Sequence, residues 1–144
     1  MPQKSILLVD NNPGFLRILA NFLDRFGHGE VVIAGTALGG KEGLTKAQSL
    51  RPQLIVIDLA MTDLHGLEAI PQLRSMLPDA GIIALTFLDS DSYRQAALAA
   101  GANEFVSKAR LDTDLLPVIW RLGRGEQPRR GPANDLGQSG APVT

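Results

Sequence analysis

Four short runs of consecutive apolar residues punctuate the chain: Ile6–Val9, Val31–Ala34, Leu54–Ile57 and Ile82–Leu85. A fifth, weaker run spans Glu104–Val106. The first four are nearly continuous rather than alternating, which is the pattern of parallel strands covered on both faces. The segments between them carry helical spacing. Phe15, Ile18, Leu19, Phe22, Leu23 and Phe26 predict one wide apolar stripe, stopped by Gly27. A weaker helix is predicted over Leu38–Leu50, where Gly39, Gly40 and Gly43 each cost about 1 kcal/mol against Ala. A third is predicted over Gly66–Met76 and a fourth over Asp91–Ala100, ended by Gly101. The fifth carries Leu115, Leu116, Ile119 and Trp120. With Thr113 as its N-cap, Pro117 falls near the first turn, where a missing N–H forfeits little.

Strand and helix thus alternate five times. Right-handed crossovers turn that alternation into a doubly wound α/β sheet. The expected architecture is a five-stranded parallel sheet of flavodoxin-like (β/α)5 type, strand order 2-1-3-4-5. From Gly123 the character changes: GRGEQPRRGPANDLGQSGAPVT holds five Gly, three Pro and no aromatic residue. The division predicted is a domain over residues 1–123 and a flexible tail or linker over 124–144.

Composition narrows the class. The 144 residues are one domain's worth, and 44% apolar residues can fill its core. A net charge of −1 gives no general attraction to nucleic acid or acidic membranes. There is no cysteine, which removes disulfides and thiolate chemistry. No apolar run approaches the ~20 residues that span a bilayer, and the run before Asp10 is too short for a signal peptide. A cytoplasmic protein is the expectation.

In open α/β sheets, ligands bind beyond the carboxyl ends of the strands. Those ends carry Asp10 and Asn11 after the first strand, Asp58 after the third, Thr86 after the fourth, and Ser107 and Lys108 after the fifth. The second run delivers Gly35 and Thr36. Taken singly, Asp10 can be a helix N-cap, Thr86 a bland strand end and Lys108 a solvated charge. Asp58 is harder to place so, because it follows LIVI, and an unpaired carboxylate in a central strand is costly. Side-chain oxygens gathered near Asp58 suit a hard divalent cation such as Mg2+. The cation would neutralise phosphate oxygens, and an Asp carboxylate can carry a covalent phosphoryl group. Lys108 would pair with that group, and the Thr86 hydroxyl would report it.

On the segments ILLVDNN, LIVIDLAMTDLHG, IIALTFL and EFVSKA, residues 4–123 resemble the receiver domain of two-component response regulators. Asp58–Leu59–Ala60–Met61, with Gly66 eight positions beyond Asp58, is the most telling stretch. The resemblance implies that Asp58 accepts a phosphoryl group from a sensor histidine kinase or a phosphotransfer protein. It implies that Asp10 and Asn11 take the acidic-pair positions, and that the Ala60 backbone carbonyl is a third metal contact. Thr86 and Phe105 become a coupled switch pair. The face of the fourth helix, fifth strand and fifth helix becomes the surface that controls a partner or output domain and can pair two copies. The module is then a signalling protein, not an independent enzyme.

The sequence departs from the family pattern at several positions. Asn11 replaces the usual second carboxylate, which predicts weakened metal affinity. Phe87 is bulky beside the switch Thr and is an access candidate. Ala109 replaces a proline that typically follows a cis bond; a non-proline cis bond costs about 2.5–4 kcal/mol, so trans is expected. Thr62 also replaces a proline, and Phe105 lacks the usual hydroxyl. Asn11 and Phe87 motivate an alternative: a degenerate receiver that binds protein partners without phosphorylation. An aspartyl phosphatase would want a second Asp at position 60, which is Ala. A flavodoxin would want a Gly- and hydroxyl-rich loop in place of DNNPGF. The 22 residues from Gly123 are too few for a DNA-binding domain with its own core. EFVSKARLDTDLLPVI is nevertheless similar to receivers that precede such domains.

Overall fold

The computed structural model describes residues 3–87 and 90–123; the predicted tail lies outside them. The elements run β1 (Lys4–Val9), α1 (Pro13–Phe26), β2 (Val31–Ala37), α2 (Gly40–Leu50), β3 (Leu54–Asp58), α3 (Gly66–Met76), β4 (Gly81–Thr86), α4 (Asp91–Ala100), β5 (Glu104–Ser107), a 3-10 turn (Lys108–Arg110) and α5 (Leu111–Gly123). The strands form one parallel sheet in the order β2-β1-β3-β4-β5. This is the expected doubly wound, flavodoxin-like arrangement.

The continuous apolar runs follow from burial on both faces. Ile6, Leu8, Val56, Ile83, Leu85 and Val106 pack under α1 and α5 with Leu16, Leu19, Leu23, Leu115 and Ile119. Leu7, Val9, Ile55, Ile57, Ile82 and Ala84 face the other way, toward Ala47, Ile70, Leu73 and Ala97 on α2, α3 and α4. Among the described residues, no helix is long and apolar enough to cross a membrane.

Three sequence expectations need correction. The second strand does not stop at Ala34. A bulge shifts its register between Ile6 and Leu7, so Gly35 and Thr36 pair with Leu7 and Leu8 inside the strand. Gly35 is the residue that interrupts the apolar pattern, and a Cβ there would lie 2.9 Å from the Leu50 side chain. The stripe on α1 is narrower than read: Leu16, Leu19 and Leu23 are buried, whereas Ile18 is 60% and Phe26 44% exposed. At about 100° per residue, Ile18 turns away from a face centred on Leu19.

Thr113 is not the cap of α5. The 3-10 turn leads directly into the helix at Leu111, which leaves Pro117 in its interior. Pro117 lies on the exposed face of α5, where it removes one i→i−4 hydrogen bond and its ring crowds the preceding turn.

Candidate functional site

The carboxyl edge of the sheet gathers the charged residues. Asp10 follows β1, Asp58 is the last residue of β3, Thr86 is the last residue of β4, and Lys108 follows β5. Lys108 Nζ lies 2.6 Å from Asp10 Oδ2 and 3.5 Å from Asp58 Oδ1. All three side chains are at most 6% exposed. Lys108 is therefore not a solvated surface charge. Asp10 is not the cap of α1 either. Its Oδ1 accepts from the Asn12 N–H at 2.9 Å, and Asn12 Oδ1 caps the helix by accepting from the Phe15 N–H at 3.0 Å.

Two carboxylates share one ammonium in a space removed from water. Burial, and then the charge of Asp10, push the Asp58 carboxyl above its ordinary value of 3.8. The Lys108 ammonium and the N–H that Ala60 donates to the Asp58 carboxylate oppose that rise. The loop after β5 aims Lys108 inward without a proline. The described residues hold no cis peptide bond, as expected for Ala109, and Ser107 Oγ accepts from the Ala109 N–H at 3.2 Å.

The remaining predicted residues flank this centre. Asn11 is half-buried between Asp10 and the capping Asn12. Thr86 is buried and pairs with Ser107, while Phe105 pairs with Ala84. Thr86 and Phe105 thus lie on the same face of adjacent strands, two register positions apart. Phe105 is buried, with the Arg94 guanidinium 4.8 Å from its ring centroid. Phe87 is 67% exposed, and its ring centroid lies 5.4 Å from Lys108 Nζ.

Sequence reasoning missed three contributors. Phe15, read only as part of the apolar stripe, sets its ring centroid 4.2 Å from Lys108 Nζ. Asn12 builds the cap that fixes it. Asp63 lies in the loop after Asp58, and its two oxygens accept from the Gly40 and Lys41 N–H groups at 3.0 and 3.1 Å. These donors are the free N–H groups at the start of α2, and they hold the Asp63 carboxyl below its ordinary value. Gly39 and Gly40, residues read as helix weakeners, are the signal that something approaches there closely. A Cβ on Gly39 would stand 2.9 Å from the Asp63 carboxylate, and one on Gly40 2.5 Å from the Leu64 carbonyl.

The buried donors at this centre are hard oxygens, the carboxylates of Asp10 and Asp58; the Asn11 amide and the Ala60 carbonyl are close to them in sequence. Hard oxygens fit a small divalent cation in kind. The fit is lean. Among the described residues, no group of three or more His, Cys, Asp or Glu could hold a metal, and the residue after Asp10 is an amide rather than a carboxylate.

The fold is a doubly wound α/β sheet whose carboxyl edge brings together two buried carboxylates and a lysine. The sequence profile of the response regulator receiver domain matches residues 6–119, and the chain belongs to that family. Response regulator protein VraR of Staphylococcus aureus is 30% identical over 121 residues, covering 84% of this chain and 57% of that protein. The chain thus spans little more than half the length of the curated relatives it matches. A CheY-like receiver domain protein from Methanospirillum hungatei superposes with a TM-score of 0.75 at 27% identity, over 86% of this chain and 96% of that one. A CheX–CheY–BeF3–Mg2+ complex from Borrelia burgdorferi superposes with a TM-score of 0.76 at 19% identity, over 84% and 90% of the two chains. Receiver domains are parts of two-component systems, where they interact with histidine kinases and output domains and generally bind Mg2+ in their acidic pocket. They are signalling proteins rather than enzymes with a substrate of their own.

Proposed function

We propose that Asp58 is the phosphoacceptor of this receiver, charged by a phosphohistidine on a sensor histidine kinase or a phosphotransfer protein. The observation that carries the reading is the buried triad in which Lys108 bridges Asp10 and Asp58. In the transfer, an Asp58 oxygen forms a bond to phosphorus as the phosphorus–nitrogen bond of the donor breaks. The imidazole leaves with the electron pair and takes up a proton. Asp10, Asn11, Asp58 and the Ala60 carbonyl would hold Mg2+, which supplies charge neutralisation at the phosphoryl oxygens.

Lys108 then exchanges Asp10 for a phosphoryl oxygen, a move consistent with its position between the two carboxylates. Thr86 donates its hydroxyl to the same group, and Phe105 reports the change on the face of α4, β5 and α5. That face controls the partner or output domain and is where two copies would pair. Phe87, at the mouth, governs access. Residues 1–123 are the signalling unit, residues 124–144 lead from it as tail or linker, and the cytoplasm is its compartment. The unit itself makes no direct contact with nucleic acid.

The test is an intact mass after incubation with Mg2+ and acetyl phosphate, with Asp58→Ala as control. One phosphoryl group on the wild type and none on the variant supports the reading. An adduct on Asn11→Asp but none on the wild type would assign the chain to the degenerate class, binding partners without phosphate. No adduct on either overturns the phosphoacceptor role.

A further inference from the structure

We infer that Phe15 is a positioning residue for Lys108, the main wall of an aromatic cage that confines the ammonium to the arc between Asp10 and Asp58. This rests on the phosphoacceptor reading of the site. Lys108 Nζ has carboxylates at 2.6 and 3.5 Å. The centroids of the Phe15 and Phe87 rings lie 4.2 and 5.4 Å from the same nitrogen. An ammonium in such a place is attracted by the π faces, and more strongly as water is excluded.

The two rings are not equivalent. Phe87 is 67% exposed. Phe15 is half-buried, and its backbone is fixed through Asn12 to the same Asp10 carboxylate that holds Lys108. Asp10 therefore sets both the ammonium and the ring that covers it. A π face has no fixed acceptor direction, so it keeps its hold while Lys108 changes oxygen partners, where a third carboxylate would compete for it. The rings also add rigidity to a lysine that is followed by Ala109 rather than by a proline.

The test uses the full chain as wild type, Phe15→Leu and Phe15→Tyr. Two readouts are taken: the rate of Asp58 phosphorylation against acetyl phosphate concentration, and the proton resonance of the Lys108 ε-methylene in the unmodified protein. The wild-type resonance is expected upfield of its ordinary position through the ring current of Phe15, and to return there in Phe15→Leu. The maximal rate is expected to fall roughly three- to thirtyfold in Phe15→Leu, the span of a cation–π contact at a partly desolvated site. The half-saturating acetyl phosphate concentration stays unchanged, and Phe15→Tyr keeps both readouts near wild type. A Lys108 resonance at its ordinary position in the wild type overturns the cage. A shifted resonance with an unaltered Phe15→Leu rate overturns the positioning role. A wild type that takes no phosphoryl group removes the phosphoacceptor reading and the positioning role with it, while a shifted resonance still establishes the cage.

Discussion

Lys108 and Asp10 are 98 residues apart in the chain and 2.6 Å apart in the fold, both nearly free of solvent. Removing one member of such a pair strands the other. Lys108→Met would leave Asp10 and Asp58 facing each other without a cation, at a cost of about 3–5 kcal/mol. Urea denaturation without Mg2+ measures it. A second change, Asp10→Asn, relieves the repulsion and is expected to restore part of the loss. A double variant no more stable than Lys108→Met alone would contradict that account.

The raised carboxyl of Asp58 makes stability depend on pH in a defined direction. The folded protein holds this proton more tightly than the unfolded chain. The contribution is fully present below the ordinary value of 3.8 and lost as pH rises through the folded value. Ionised Asp58 is a net cost at neutral pH in the metal-free protein. Asp58→Asn should therefore melt above the wild type at pH 7 in chelator, and the difference should close on acidification. Added Mg2+ should raise the wild type and leave the variant nearly unmoved. Equal melting temperatures at pH 7 would remove the basis of this prediction.

Asp63 behaves in the opposite sense. Its carboxyl is lowered by the N–H groups of Lys41 and Gly40, so its contribution is present above 3.8 and is lost as pH falls through the folded value. Asp63→Asn should melt below the wild type at neutral pH, with the gap shrinking in acid. Its amide exchange should also quicken at Gly40 and Lys41, the two groups the carboxylate protects.

Gly66 opens α3 against the backbone at the end of β3. A Cβ there would lie 2.6 Å from both the Asp58 carbonyl oxygen and the Leu59 Cα. Backbone cannot swing aside as a side chain can. Gly66→Ala should cost about 1–3 kcal/mol, the usual range for overpacking. It should also slow phosphorylation by displacing Asp58, whereas Gly29→Ala, at an open turn, should leave that rate alone.

Asn11→Asp tests the lean metal site. A charged oxygen added beside Asp10 and Asp58 should tighten Mg2+ at least about tenfold by calorimetric titration. That corresponds to ~1.4 kcal/mol, well under the ~4 kcal/mol between unit charges 4 Å apart near a protein surface. Unchanged affinity would mean that Asn11 does not face the ion.

The parallel sheet was legible because burial on both faces leaves continuous apolar runs, and the strand ends could then be read as a site. Gly66–Met76 and Asp91–Ala100 match the observed helices residue for residue, since glycines or capping residues mark their ends. The end of β2 was hidden because the bulge before Gly35 breaks the apolar pattern without breaking the ladder. Pro117 misled because the 3-10 turn starts α5 at Leu111, upstream of Thr113, which puts the proline inside the helix rather than in its first turn. Phe15 could not be separated from the core stripe: hydrophobic spacing says which residues share a helix face, and nothing about a cation brought over that face from the far end of the chain.

The order of the strands in space has a consequence for synthesis. Asp10 and Asp58 belong to adjacent central strands, and their mutual repulsion stands until β5 has been added on the far side of β4 and Lys108 swings in. A nascent or truncated chain ending before β5 would leave Asp10 and Asp58 with no counter-charge, in a sheet still missing an edge. The counter-charge therefore arrives with the last strand, so the closed triad of Asp10, Lys108 and Asp58 doubles as a certificate that the fold has been completed.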